Sequence, residues 1–265
     1  MQTKRILLTG DDGYNSIGIR LLIAALKDKH ELSIAATKHQ QSGVGGKLSL
    51  STGGAWDETE VDGISGIWVE GSPADAVECA NVYFEKPFDL ILSGINLGLN
   101  IGSTIVSSGT YGGLMRGMGL QLAPKGIALS WNVPSKLMLK THDAGEDLKS
   151  YHLYFEKLLV PLFDKIFAAG LWGVDILNIN FPTKPTRKIR FTKMNKNISQ
   201  VFGPTSLDFE TKRFSYESSH LNIQENNPRY DVGALKKGYI SITPCAYDVT
   251  HFTTFQKLEK TELEL

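Results

Sequence analysis

The sequence predicts an α/β protein with a doubly wound, mostly parallel sheet and a β-rich C-terminal extension. Three observations carry this. Short continuous apolar runs of strand length, such as RILLT at 5–9 and FDLIL at 88–92, read as strands buried on both faces. Segments of helical apolar spacing alternate with these runs as far as residue 182. Beyond 183 the chain turns polar and turn-rich, with aromatics at Phe191, Phe202, Phe209, Phe214 and Tyr216.

Taken in order, the strand at 5–9 leads through GDDGYNS to a helix over 18–26 and a second strand at 31–36, a complete βαβ unit. A strand is expected at 64–69 and a helix at 72–82, where Ser72 followed by Pro73 has the form of a helix start. The strand at 88–92 ends in the glycine-rich loop SGINLGLNIG. A small-residue helix follows over 108–118, then a strand at 126–130. One long amphipathic helix is expected over 148–169, and DILNIN at 175–180 is a strand closed by Phe181-Pro182. Hairpins are expected within 187–230, a strand at 238–243 and a charged helix over 252–265. This divides the chain into an α/β core, 1–184, and an extension, 185–265.

Composition bounds the function. The 28 basic and 28 acidic residues cancel, which argues against bulk electrostatic binding to nucleic acid or to an anionic membrane. It leaves room for a small anion in a local site. No window approaches the ~18–20 apolar residues of a membrane helix, and the apolar run before Gly10 is too short for a signal peptide. The cytoplasm is the expected location. Cys79 and Cys245 stand far apart in apolar surroundings and are expected reduced and buried.

Four segments can carry chemistry. Asp11-Asp12 directly follows a buried strand, where open parallel sheets bind ligands. Adjacent carboxylates repel, and a hard divalent cation relieves that repulsion; the plainer alternative is a helix cap or a turn with Gly13. In SGINLGLNIG, Asn96 and Asn100 can offer amide oxygens to a metal or amides to a phosphate, or the segment is a tight turn without a ligand. Ser107-Ser108-Gly109-Thr110 opens a helix, a ready anion site or a simple cap. Ser42, in the QSGVGG loop, is a further possible oxygen ligand. The dinucleotide and Walker A patterns are absent, and His30, His39, His142, His152, His220 and His251 lack zinc spacing.

Together, ILLTGDDGYNSIGI, QSGVGGKLSL, GSPADAVECA, DLILSGINLGLNIGSTIVSSGTYGGLMRG, LNINFP and GYISITPCAYDVTHF resemble the survival protein SurE family, in its order and over nearly the whole chain. The resemblance implies a Rossmann-like core and a metal-dependent 5'(3')-nucleotidase, in some members also acting on exopolyphosphate. It implies one divalent metal ion, Mg²⁺ or Mn²⁺, on Asp11, Asp12, Ser42 and Asn96; as the carboxylate nearest a metal-bound water, Asp11 is the expected catalytic group that orients or deprotonates it. Asn100, Ser108, Gly109 and Thr110 would hold the phosphate of a small phosphorylated substrate. The extension would exchange between subunits of a homodimer or homotetramer.

Departures from the family pattern are Gly10 where Asn is usual, Gly45 where a serine is usual, and Ser103-Thr104 for an acidic pair. Arg116 replaces a glutamate, and His251 stands one place early. They motivate two alternatives: a nucleotide- or phosphate-binding protein without turnover, or a phosphatase for another phosphoester such as polyphosphate.

Overall fold

The computed structural model describes residues 2–133, 147–197, 205–216 and 225–262. Six strands run parallel at its centre: β1 (Arg5–Thr9), β2 (Glu31–Thr37), β4 (Ile64–Val69), β5 (Leu90–Leu97), β6 (Gly126–Trp131) and β7 (Ile176–Phe181). With β3 (Trp56–Val61), β8 (Ile189–Phe191) and β11 (Ile240–Cys245) they form a nine-stranded sheet in the order β3-β4-β2-β1-β5-β6-β7-β11-β8. β3 is antiparallel to β4, and β11 antiparallel to β7. A separate hairpin pairs β9 (Thr205–Asp208) with β10 (Arg213–Tyr216).

Strand period sorts the core into two layers. Ile6 and Leu8, Leu90 and Leu92, Ile127 and Leu129, Leu177 and Ile179 face one side, packed with α1 (Ile17–Leu26) and residues of two later helices. Leu7, Ile91, Ala128 and Ile176 face the other, under α2 (Pro73–Tyr83) and α3 (Gly109–Gly119). Both layers are built from aliphatic and aromatic side chains, so the polar residues at the strand ends stand out. α2 begins as the sequence indicates: Ser72 and Asp75 form a reciprocal capping box, with Pro73 at the first helical position.

The region 148–169 is two helices, α4 (Lys149–Phe155) and α5 (Leu159–Ala168), rather than one. Pro161 lies in the first turn of α5, where its missing N–H and its ring would break a continuous ladder onto Lys157. The strand expected to end at 92 continues to Leu97, because β6 pairs with it on both sides of a register irregularity between Ser93 and Asn96. Gly94 makes this run possible: its φ is +117°, and a Cβ there would lie 2.2 Å from the Leu129 carbonyl oxygen. The polar edge strand β3 escaped the sequence reading because its outward side chains face water.

In the extension, β8 and β11 join the main sheet, α6 (Asp231–Lys236) packs beside β11, and α7 (Phe252–Leu258) is shorter than expected. Phe202, His142, His220 and the end of the expected terminal helix, 263–265, lie outside the described residues.

α1 approaches β5 so closely that a Cβ on Gly18 would sit 2.0 Å from the Ile95 carbonyl oxygen. Gly18→Ala must therefore push helix from sheet. A cost of about 3 kcal/mol is expected, read as a fall in Tm of roughly 6–12 °C by calorimetry.

Candidate active site

The parallel strands end together, and the chain turns from β2 on one side of β1 to β5 on the other. The crevice at such a switch is where open α/β sheets bind ligands. β1 delivers Asp11 and Asp12 to it, β5 delivers Asn96 and Asn100, and the start of α3 delivers Ser108, Gly109 and Thr110. Neither aspartate caps α1: Ser16 does, its hydroxyl accepting from the Ile19 N–H. The carboxylates are free of that structural task.

Asp11 and Asp12 are 4% and 6% exposed. The Thr110 hydroxyl donates to Asp11 Oδ1 at 2.6 Å. The Asn100 side-chain amide donates to Thr110 Oγ1 at 3.2 Å and to Ser130 Oγ at 2.9 Å. A continuous chain thus runs from Asp11 through Thr110 to Asn100. Gly109 closes against Asp11, where an added Cβ would meet Oδ2 at 2.8 Å, so the helix N-terminus can approach the carboxylate only with glycine there. The Ser108 hydroxyl accepts from the Tyr111 N–H as the N-cap of α3, which leaves its proton available to donate. Both uses considered for this segment are therefore compatible.

Asp12 is held from the other side. Its Oδ2 accepts from the Leu97 N–H at 2.7 Å and its Oδ1 from the Gln40 amide at 3.2 Å. Asn96, one residue before Leu97, is half-buried and donates through its side chain to the Gly98 carbonyl at 2.8 Å. Ser42 stays exposed on the neighbouring turn and outside this hydrogen-bonded set; Gln41 before it donates its N–H to the Asp11 carbonyl at 2.7 Å. The structure thus joins Asp11, Thr110 and Asn100 in one hydrogen-bonded chain, holds Asp12 next to Asp11 on separate partners, sets Asn96 beside them, and leaves Ser42 at the rim.

Burial pushes the Asp11 carboxyl up to about 6, against the lowering effect of the Thr110 hydroxyl. Burial, and then the charge of Asp11, push Asp12 up to about 7, against the Leu97 N–H and the Gln40 amide. No ion pair among the described residues involves either carboxylate. Two adjacent buried acids without a cation are costly, and a hard divalent ion answers both charges. Among the described residues no third His, Cys, Asp or Glu joins them. The donors at hand are carboxylate, amide and hydroxyl oxygens, a set that suits a hard divalent cation.

Four residues of the network escaped the sequence reading: Gln40, Ser130, Asn178 and Asn180. The last two left a legible signal, since Asn178-x-Asn180 places two amides on one face of an otherwise apolar buried strand. The altered positions are accommodated locally. Gly10 has ordinary contact room beside Gly94, Arg116 pairs with Glu78, and the Ser103 hydroxyl donates to the Lys196 carbonyl.

Residues 6–201 match the family model described as survival protein SurE. The chain is 33% identical over 261 residues to the protein of Archaeoglobus fulgidus named 5'-nucleotidase SurE, covering 96% of each. It is 31% identical over 270 residues to the one of that name from Methanococcoides burtonii, covering 97% of this chain and 98% of the relative. The crystal structure of the SurE protein from Aquifex aeolicus matches at a TM-score of 0.74 and 26% identity, over 96% of this chain and 98% of that one. With the fold, the crevice and these likenesses in agreement, the chain belongs to the survival protein SurE family.

Proposed function

We propose that this chain is a 5'/3'-nucleotidase, a divalent-metal-dependent phosphomonoesterase that hydrolyses nucleoside monophosphates with water. The buried carboxylate pair at the switch point, which makes no ion pair among the described residues and is linked through Thr110 to a helix N-terminus, carries the proposal. The name borne by the relatives supports the substrate class.

Asp11, Asp12, Asn96 and Ser42 would hold one Mg²⁺ or Mn²⁺, with Ser42 moving in from the rim. Bound there, the ion would supply Lewis acidity toward a phosphoryl oxygen and lower the pKa of water. Asp11 orients the attacking water and takes its proton at Oδ2, since Oδ1 is occupied by the Thr110 hydroxyl. Asp12, gripped by Leu97 and Gln40, only ligates. The Ser108 hydroxyl and the N–H groups opening α3 at Gly109 face the phosphoryl oxygens, where charge grows in the transition state; the Asn100 amide and the Thr110 hydroxyl, whose protons here go to Thr110, Ser130 and Asp11, join them by exchanging one of those bonds for the phosphate.

A substrate panel tests the assignment. Phosphate release should favour nucleoside 5'- and 3'-monophosphates over polyphosphate and sugar phosphates. A preference for polyphosphate would move the reading to another phosphoester, and heat stabilisation by nucleotide without release would move it to a binding protein.

The same reading makes the extension, 185–265, an assembly arm. Leu207, Phe209, Phe214 and Tyr216 on the hairpin are exposed, as are Phe252, Phe255 and Leu258 on α7. Such an apolar surface fits a partner copy in a homodimer or homotetramer. Light scattering should give a mass of two or four chains, and the double change Phe209→Ser and Phe214→Ser should lower it. A monomeric wild type would contradict this. We place the enzyme in the cytoplasm, where its two free thiols, Cys79 and Cys245, stay reduced.

A further inference from the structure

β7 carries two asparagines that the proposed chemistry does not use. Asn178 and Asn180 are both fully buried, two residues apart and on the face that looks toward α3. Their side-chain amides converge on one atom: Asn178 donates to the Asn100 carbonyl oxygen at 2.8 Å and Asn180 at 3.0 Å. Asn180 also accepts, through Oδ1, from the Asn100 N–H at 3.0 Å. Both backbone groups of Asn100 are thus fixed by side chains of a single strand. Two residues on, the Gly102 N–H donates at 2.6 Å to Asp231 of α6, which also accepts from the Asn195 N–H at 3.1 Å.

An irregular turn leaving a strand has no ladder of its own to fix it. Here Leu99 is half-buried and Ile101 fully buried, and Asn100 between them presents its side-chain amide to Thr110 and Ser130 together. A buried amide is costly to place without a partner, and two at one carbonyl give the turn one position. Asn178 Oδ1 accepts no hydrogen bond among the described residues, so this side chain is spent wholly on its donation to Asn100.

We propose that Asn178 and Asn180 are positioning residues for phosphoryl transfer, clamping the Asn100 backbone so that its side-chain amide, shared here between Thr110 and Ser130, stands where it can exchange one of those bonds for the transferring group, with Asp231 anchoring the far side of the same turn. This rests on the assignment of Asn100 to the phosphoryl group. A displacement of about 1 Å in such a donor costs on the order of 10²-fold in rate, and a contact made in the transition state alone lowers kcat without raising KM.

Asn178→Leu is the first variant, because it keeps the volume and also removes the acceptor that lacks a partner, so the fold should survive. Asn180→Ala, which removes a donor and an acceptor, is the second. Amide hydrogen exchange across residues 98–102 reports the clamp directly, and steady-state kinetics with a nucleoside monophosphate reports its use. In Asn178→Leu, exchange at Asn100 and Gly102 should quicken about tenfold and kcat should fall about 10- to 100-fold, with KM and Tm close to wild type. Asn180→Ala should give larger changes in the same sense. Exchange unchanged in both variants would overturn the clamp, whatever the activity. Faster exchange with unchanged kcat would overturn its positioning role and leave a structural one. Should the wild type release no phosphate from any nucleotide, the nucleotidase assignment fails separately, and exchange still decides the clamp.

Discussion

Asp11→Asn is expected to lower phosphate release by about 10²- to 10⁴-fold while leaving the fold intact. The substitution keeps the shape and the Oδ1 acceptor for the Thr110 hydroxyl, so the chain from Asp11 through Thr110 to Asn100 persists. It removes the charge that a cation needs and the atom assigned to take the proton. It also removes a repulsion, since the charge of Asp11 helps push Asp12 up. Metal-free Asp11→Asn should therefore melt at or above the wild-type temperature near neutral pH, although it is inactive. Retained turnover, or loss of folding, would each contradict the role given to Asp11.

The second large effect is a pH-dependent gain in stability on adding metal. Both carboxyls have folded-state pKa values raised from 3.8, to about 6 for Asp11 and about 7 for Asp12. Between pH 4 and 7 the folded chain therefore holds more protons at these sites than the unfolded chain does. The sign follows: stability of the metal-free protein from this pair falls as pH rises through that window, and the penalty is complete above about 7. A divalent ion binds only the deprotonated pair and removes the penalty. At one hundred times its dissociation constant it should add about 2.7 kcal/mol, a rise in Tm of roughly 5–10 °C at pH 7.5. At pH 5 protons compete and the rise should largely vanish. A metal-induced shift equal at both values, or absent at pH 7.5, would show that the ion does not sit on this pair.

Much of this was readable from residue order. RILLT followed by Asp-Asp marks a strand with a polar end, and the hydroxyls and glycine of 107–110 mark a helix start. Both lie in one crevice because the strand order reverses about β1. What escaped depends on partners distant in sequence. Glycines in SGINL read locally as a loop, yet β6 makes the segment a strand through Leu97. A helix pattern across 148–169 masked the break at Pro161. Asn178-x-Asn180 shows in the sequence as two amides on one face, but their partner, like that of Ser130, appears only when β6 lies beside β5, β7 beside β6, and Asn100 turns over them. Gln40, in a polar loop, carries no periodic signal at all; only the fold brings its amide to Asp12.

The direct test of the account is phosphate release from a nucleoside monophosphate by protein stripped with chelator, followed as Mn²⁺ or Mg²⁺ is added back. The account predicts no release in chelator and recovery as the ion saturates the Asp11–Asp12 pair. Equal release with and without chelator, or none from folded, metal-loaded protein, would contradict it.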